Sequence, residues 1–248
     1  MTETNTNIAL VSGANKGIGL EIARGLGRLG WSVGVGARDA ERRETAVEKL
    51  LAEDVDAFGV PLDVTDDTSV AGAAALLEER FGRLDALVNN AGITGGMPQL
   101  PTEVTVEQLW SVLDVNVFGP LRTMRAMLPL LRRSPHPRIV TMSSGVGSLT
   151  RQSATTDPLS TGPVSGAYSP SKTYLNAVTV QLVKELAERG EERILVNLAC
   201  PGFVATDLNG FRGVRTPEEG AQVAIRLATL PDDGPTGGYF EDAGEIPW

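Results

Sequence analysis

Short apolar runs alternate with longer stretches of helical period along almost the whole chain. Runs such as Ile8-Ala9-Leu10-Val11 are nearly continuous in apolar residues, which is typical of strands that are buried on both faces. In the longer stretches, apolar residues recur with the spacing of amphipathic helices. The pattern predicts strands near 7–12, 31–37, 56–61, 84–89, 137–143, 193–199 and 237–240, and helices near 17–29, 40–53, 66–81, 105–132, 168–189 and 216–229.

This alternation predicts an α/β fold with a doubly wound parallel sheet of about seven strands and helices on both faces, because parallel neighbours need crossover connections. With 248 residues and 42% hydrophobic content, the chain can bury a full core, and no linker interrupts it. We therefore predict a single domain over residues 1–248. The one long irregular stretch, residues 145–166, is rich in Ser, Thr, Gly and Pro, and such loops are usually functional or mobile.

A glycine-rich sequence, Ser12-Gly13-Ala14-Asn15-Lys16-Gly17-Ile18-Gly19, connects the first predicted strand to the first predicted helix. Glycines there permit a tight turn and a close approach to a pyrophosphate held at the helix N-terminus. The spacing GxxxGxG is a weak signal alone, but its place after the first strand favours a dinucleotide site. The predicted cofactor-binding residues of this turn are Gly13, Asn15, Lys16, Gly17, Ile18 and Gly19.

The end of the second predicted strand bears on the choice of dinucleotide. A carboxylate there bonds the ribose 2′-hydroxyl of NAD and repels a 2′-phosphate. The chain instead has Ala37 followed by Arg38, with Lys16 nearby, and a guanidinium pairs well with phosphate. The two cations favour NADP(H). Asp39 opposes this interpretation, although its position also predicts the N-cap of the helix that begins near Ala40.

Tyr168 and Lys172 are spaced one helical turn apart, so that their side chains share a helix face. Pro170 is tolerated only in a first helical turn, which places the helix start near Tyr168 and its positive end toward the phenol. Lowering a phenol pKa from ~10 to ~7 requires about 4 kcal/mol, which an ammonium and a helix N-terminus could supply. We therefore predict Tyr168 to be a proton donor of lowered pKa. The alternative is a packed tyrosine beside a solvated lysine on an ordinary helix.

Six elements in this order resemble the short-chain dehydrogenase/reductase family: SGANKGIG, Asn89-Asn90-Ala91-Gly92, Asn116, Ser143-Ser144, Tyr168-Ser169-Pro170-Ser171-Lys172 and Pro201-Gly202. The resemblance covers nearly the whole chain and implies a Rossmann-like fold. The sequence GANKGIG and the extended loop before the tyrosine are most similar to the NADPH-dependent carbonyl reductase branch.

The resemblance implies a catalytic set of Asn116, Ser144, Tyr168 and Lys172, with Ser143 as the fallback for Ser144. Ser144 is expected to bond the substrate oxygen, and Asn116 to hold a water that links the lysine to solvent. Pro120 cannot donate to the Asn116 carbonyl, which gives a physical reason for a receptive carbonyl there, although Gly119-Pro120 could simply kink a packed helix.

Further cofactor contacts are expected from the resemblance at the ends of predicted strands, where ligands of open α/β sheets bind. Lys172 is expected to bond the nicotinamide ribose hydroxyls as well. The remaining expected contacts are Asp63 and Val64 at the adenine edge, Asn90, Ala91 and Gly92 at the ribose and ring, and Pro201, Gly202, Val204 and Thr206 on the nicotinamide side.

The resulting hypothesis is hydride transfer from NADPH to a ketone or aldehyde carbonyl, with Tyr168 protonating the oxygen. Two alternatives stay open: an NADP(H)-binding sensor without turnover, and an NAD-dependent alcohol dehydrogenase that runs in the oxidative direction. A serine hydrolase is disfavoured because the only histidine, His136, lies between two prolines in a predicted exposed loop.

The substrate is expected to be a neutral or partly apolar small carbonyl or alcohol compound. The predicted walls of its pocket are the loops 93–100 and 145–166 and a short lid near 203–215, where Leu208 and Phe211 offer apolar surface and Gly210 and Gly213 permit hinging. The sequence leaves open whether the protein is a monomer or a homo-oligomer.

Charge and composition exclude several classes of partner. The formal net charge of −9 and the absence of a basic stripe argue against nucleic acid as a partner, and no metal site is predicted.

The single cysteine, Cys200, follows a predicted buried strand and is expected to be an inert core thiol. The first seven residues, MTETNTN, do not have the order of a signal peptide, and no apolar run is long enough to span a membrane, so we expect a cytoplasmic protein.

Overall fold

The computed structural model describes residues 6–96 and 98–248, and within them a mostly parallel sheet organises the chain. The order across the sheet is β3-β2-β1-β4-β5-β6-β7-β8, and only β8 runs antiparallel to its neighbour. The strands are β1 (Ile8–Ser12), β2 (Ser32–Ala37), β3 (Ala57–Pro61), β4 (Ala86–Asn89), β5 (Arg138–Met142), β6 (Leu195–Ala199), β7 (Tyr239–Glu241) and β8 (Gly244–Glu245). The predicted doubly wound fold is confirmed. The two-residue β8 was missed because it is too short to show a period.

Helices cover both faces of the sheet. They are α1 (Gly17–Arg28), α2 (Ala40–Leu51), α3 (Asp67–Phe81), α4 (Val106–Leu113), α5 (Gly119–Leu131), α6 (Leu149–Ser153), α7 (Tyr168–Glu188) and α8 (Pro217–Ala228). Single 3₁₀ turns lie at Gly145–Gly147, Pro158–Thr161 and Asp207–Asn209. The stretch 145–166, predicted to be irregular, is therefore partly helical.

One predicted helix, 105–132, is wrong in its continuity. It consists of α4 and α5, joined by a π-helical turn at Asp114–Phe118 in which the Gly119 N–H donates to the Asp114 carbonyl. The next residue, Pro120, has no N–H, so the regular i→i−4 ladder cannot pass through this point. The widened turn contains Asn116.

The residues of β1 alternate between two apolar layers. Ala9 and Val11 pack with α1, α2 and α8 on one face, and Ile8 and Leu10 pack with α3, α5 and α7 on the other. All five residues of β1 are buried. This accounts for the continuous apolar run in the sequence, since both faces of the strand are covered.

The strand order reverses beside β1, which has β2 on one side and β4 on the other. In open α/β sheets, ligands bind at the carboxyl ends of the strands at such a reversal. The chain leaves β1 at Gly13 and leaves β4 at Asn90. The predicted cofactor residues of both segments are thereby brought to the same edge of the sheet.

Two predicted helix starts are confirmed. The Asp39 carboxylate accepts a hydrogen bond from the Arg42 N–H at 3.0 Å and caps α2, and α7 begins at Tyr168. In the described part of the chain, no helix has the length and apolarity needed to cross a bilayer.

Candidate active site

The glycine turn, residues 13–19, is shaped by positions at which a side chain would not fit. Gly13 and Gly17 have φ angles of +64° and +55°, in the left-handed region that favours glycine. A Cβ on Gly19 would lie 2.4 Å from the Asn90 Nδ2 and 2.5 Å from the Gly13 carbonyl oxygen. The first turn of α1 therefore packs directly against the end of β4.

Asn90 fixes this turn by hydrogen bonds. Its Nδ2 donates to the carbonyl oxygens of Ser12 (2.9 Å) and Gly13 (3.2 Å), and the Ser12 Oγ accepts from the N–H groups of Asn90 (3.0 Å) and Ala91 (3.1 Å). The side chain of Asn90, expected at the cofactor ribose, thus holds the glycine turn in shape. The turn fits a pyrophosphate because its backbone is preformed and carries no Cβ at the close contacts.

The cations expected at a 2′-phosphate have different surroundings. Arg38 is exposed and forms no hydrogen bond or ion pair with any described residue. Arg38 lies near Asp63. Burial raises the pKa of the Asp63 carboxyl, but hydrogen bonds from Thr65 and the positive charge of Arg38 have the larger combined effect. The pKa of Asp63 is therefore below its ordinary value. Lys16 forms an ion pair with Asp207 in the lid.

The structure adds a residue to this region that the sequence did not indicate. Arg42, in the first turn of α2, lines one open groove together with Asn15, Lys16 and Asp207. Its place in the first turn of the helix that follows Arg38 is the signal that could have indicated it. Two cations, Lys16 and Arg42, line this groove together with two carboxylates, Glu41 and Asp207. The ammonium and the guanidinium are the groups there that can pair with a phosphate.

Tyr168, Lys172 and Ser144 meet at the carboxyl end of β5. The Ser144 side chain lies beside the Tyr168 phenol and acts to lower its pKa, and the Lys172 Nζ lies 5.7 Å from the centroid of the tyrosine ring. The Lys172 Nζ donates to the Met142 carbonyl at 2.8 Å, and the lysine is only 4% exposed. The lysine is thus buried, which rules out the alternative in which it is solvated.

The predicted lowering of the phenol pKa is wrong. Desolvation raises the pKa of Tyr168 to about 12, although the Ser144 hydrogen bond acts in the opposite direction and part of the side chain stays accessible. Burial also lowers the pKa of Lys172 to about 8. The sequence argument counted the ammonium but omitted the desolvation of both groups, which has the larger effect.

The side chains of the two adjacent serines, Ser143 and Ser144, have different partners. The Ser143 Oγ donates to the Asn176 Oδ1 at 2.6 Å, whereas the Ser144 side chain is directed to the phenol. The backbone of Ser144 is held by Tyr239, whose hydroxyl donates to the Ser144 carbonyl. The Ser143 side chain is therefore engaged inside the protein, and Ser144 is the serine that faces Tyr168.

Asn116 joins the π-helical turn to the start of α7. It is fully buried, and its Nδ2 donates to the Ile93 carbonyl (2.9 Å) and to the Ser171 Oγ (3.0 Å). The Ser171 Oγ in turn donates to the Tyr168 carbonyl at 2.6 Å. A Cβ at Gly92 would lie 3.4 Å from the Asn116 Oδ1 and 3.8 Å from the Lys172 Nζ, so these groups border one space. The free carbonyl of Asn116 stays a prediction.

The segment 203–215 is a closed loop that rests on the glycine turn. Its ends are joined by the Ala205 N–H, which donates to the Arg215 carbonyl at 2.8 Å, and Val204 is buried. A Cβ at Gly17 would lie 3.4 Å from the Thr206 Cγ2. Of the expected nicotinamide-side residues, Thr206 therefore borders the glycine turn, and Pro201 and Gly202 lead from β6 into the loop.

One expected hinge in this loop has a different role. A Cβ at Gly213 would lie 2.1 Å from the Val204 carbonyl carbon and 2.2 Å from the Ala205 nitrogen. Gly213 thus permits two backbone segments to touch, whereas Gly210 has a φ of +62° and ends the 3₁₀ turn. Leu208 and Phe211 are 40% and 66% exposed and offer the predicted apolar surface. In the expected wall 93–100, Met97 lies outside the described residues.

Two further titratable residues, His136 and Cys200, are not candidates for a catalytic role. The His136 Nδ1 pairs with the Asp232 carboxylate at 2.8 Å, but His136 precedes β5 whereas Ser143 and Ser144 follow it. A hydrolase arrangement is thereby excluded, because His136 and the serines lie at opposite ends of the strand. Cys200 is 2% exposed, and burial raises the pKa of its thiol, as an inert core position requires.

Sequence comparisons show which known proteins this chain is similar to. A sequence model of the family described as short chain dehydrogenase matches residues 7–214. A (+)-neomenthol dehydrogenase of Arabidopsis thaliana is 34% identical, with 97% of this chain and 97% of that protein covered. Carbonyl reductase (NADPH) 1 of Mus musculus is 33% identical, with 97% of this chain and 98% of that protein covered.

The fold of this chain is also similar to that of a solved structure. The NADPH-bound carbonyl reductase from chicken fatty liver superposes with a TM-score of 0.84 at 28% sequence identity, covering 98% of this chain and 99% of that chain. The region matched by the family model, residues 7–214, contains both the glycine turn and the Tyr168–Lys172 pair.

Proposed function

This chain belongs to the short-chain dehydrogenase family, and on that premise we propose that it is an NADP(H)-dependent reductase of small carbonyl compounds. The observation that carries the proposal is the meeting of Tyr168, Ser144 and Lys172 at the same edge of the sheet as the glycine turn. A phosphate-binding turn and a proton donor at one edge are what hydride transfer to a carbonyl requires.

The choice of NADP(H) is supported by the unpaired Arg38, by the absence of a carboxylate at the end of β2, and by the NADPH-bound structural neighbour. Arg38 and Lys16 would hold the 2′-phosphate, and the glycine turn would hold the pyrophosphate. When bound, NADPH supplies the hydride that the carbonyl carbon accepts.

The residues of the site are in the protonation states that reduction needs. With a pKa near 12, Tyr168 carries its proton at neutral pH and can transfer it to the carbonyl oxygen. Ser144 orients and polarises that oxygen, and Lys172, which is largely protonated at pH 7, stabilises the phenolate that forms. Asn116, through Ser171, holds the first turn of α7 in place.

The pKa of Tyr168 predicts how the rates of reduction and oxidation depend on pH. Oxidation of an alcohol needs the phenolate as a base, and the raised pKa of Tyr168 disfavours that form at neutral pH. We therefore expect the rate of alcohol oxidation to rise toward alkaline pH, whereas the proton needed for reduction is already in place at pH 7. The exposed apolar side chains of Leu208 and Phe211 favour a neutral, partly apolar substrate.

The test is a panel of ketones, aldehydes and quinones assayed with NADPH and, separately, with NADH. We expect steady NADPH consumption with at least one carbonyl compound, one alcohol product formed for each NADPH consumed, and a lower rate with NADH. Tight NADPH binding without turnover of any member would favour the sensor alternative, and faster turnover with NADH would overturn the choice of cofactor.

A further inference from the structure

The first turn of α7 receives its cap from a distant segment of the chain. Ala167, which precedes the helix, has no polar side chain to offer, and the first N–H groups of a helix need acceptors from outside it. The Gln99 Oε1 accepts from the N–H groups of Tyr168 (3.1 Å) and Ala167 (3.2 Å). It also accepts from the Ser165 Oγ at 3.0 Å.

The rest of Gln99 is equally engaged. Its Nε2 donates to the Thr94 carbonyl at 2.5 Å, and its own carbonyl accepts from the Gly166 N–H at 2.8 Å. The residue is 2% exposed, and its polar side-chain atoms are hydrogen-bonded at both ends. A Cβ on Gly166 would lie 3.0 Å from the Gln99 carbonyl oxygen, so the two segments are in close contact.

These contacts connect the loop after β4 to the residue that bears the phenol. We propose that Gln99 is a positioning residue for Tyr168: it fixes the N-terminus of α7 and thereby the place from which the phenol reaches the substrate. This role rests on the proposed function, because it matters for turnover only if Tyr168 is the proton donor. Nothing in the sequence motifs marks Gln99, which lies outside all six of them.

Loss of the Gln99 cap is expected to affect turnover but not the binding of NADPH. Among the described residues, Gln99 forms no hydrogen bond with the glycine turn or with Arg38. Loss of the cap should therefore displace the phenol while NADPH binding persists. A displacement of reacting groups by about 1 Å can lower turnover about 100-fold.

The test compares the wild type with Gln99→Met, which keeps the volume of the side chain but has no acceptor oxygen for the two N–H groups. Gln108→Met is the matched control, since Gln108 also caps a helix N-terminus, that of α4, by accepting from the Thr105 N–H at 2.9 Å. Turnover is measured with the most active carbonyl of the panel and expressed per bound NADPH, so that unfolded protein does not count.

We expect Gln99→Met to lower kcat about 10- to 100-fold with an unchanged NADPH Kd, and Gln108→Met to leave kcat unchanged. Equal kcat for Gln99→Met and the wild type, or a loss of NADPH affinity as large as the loss of kcat, would overturn the positioning role while leaving the proposed function intact. A wild-type protein that reduces no carbonyl would overturn both.

Discussion

The glycine turn and the proposed catalytic cluster of Asn116, Ser144, Tyr168 and Lys172 differ in where their charged side chains lie. Around the glycine turn, the cations are at the surface: Arg38 is unpaired among the described residues, and Lys16 is held only by an exposed carboxylate. In the catalytic cluster, Lys172 is buried and its ammonium is bound to a backbone carbonyl. The first region is suited to exchange its partners for a phosphate, and the second to keep one arrangement while a proton moves.

The largest expected effect concerns the buried charge of Lys172. Its pKa is about 8 in the folded protein against an ordinary 10.5, so between these pH values the unfolded chain binds more protons than the native one. Stability must therefore rise with pH in that window, by on the order of 2 kcal/mol from pH 7 to pH 9.5. The raised pKa of Tyr168 acts in the opposite direction, but only above pH 10.

Urea unfolding at the two pH values tests this expectation. Lys172→Met should lack the rise, whereas Lys184→Met, an exposed position on the same helix, should retain it. Identical pH dependence in the wild type and in Lys172→Met would contradict the burial of this charge.

The glycine turn should be sensitive to volume rather than to charge. Gly19→Ala places a Cβ against Asn90 and Gly13, and we expect a loss of about 1–3 kcal/mol in stability together with weaker NADPH binding. Thermal or urea unfolding and NADPH fluorescence titration measure the two effects.

A helical glycine without such neighbours provides the control. An added Cβ at Gly72 in α3 would meet no described atom within 4 Å, so Gly72→Ala should be neutral or stabilising by up to about 1 kcal/mol. If both substitutions had the same effect, the close packing of Gly19 would not be what shapes the turn.

Arg38 is expected to contribute to the binding of NADPH but not to the binding of NADH. Arg38→Ala is expected to raise the NADPH Kd about tenfold or more, the cost of a lost charged hydrogen bond, and to leave NADH binding unchanged. Titrations with both cofactors measure this. An equal loss for NADPH and NADH would place Arg38 away from the 2′-phosphate.

The smallest effect concerns the Lys16–Asp207 ion pair, which competes with a phosphate for Lys16. Asp207→Asn should tighten NADPH binding by up to about fivefold at low salt, because an exposed pair contributes little, and the gain should fade as salt is added. Asp233→Asn makes the same charge change at another exposed site and should have no such effect. Weaker NADPH binding in Asp207→Asn would mean that the pair supports the site.

The two regions also differ in how far the sequence predicts them. The glycine turn, the Asp39 cap and the start of α7 at Tyr168 follow from the chemistry of neighbouring residues, and the structure confirms them. The raised pKa of the phenol and the capping of α7 by Gln99 do not, because both depend on residues brought together by tertiary packing. Pro120 marked the interruption of the helix that contains Asn116, but only the structure shows that it takes the form of a π-helical turn.

The central claim is that the Tyr168 phenol donates the proton in carbonyl reduction. Its most direct test is the rate of carbonyl reduction per bound NADPH in Tyr168→Phe, with NADPH binding followed by fluorescence in the same sample. We expect turnover to fall about 10²- to 10⁴-fold while the NADPH Kd is unchanged. Turnover close to that of the wild type would contradict the account.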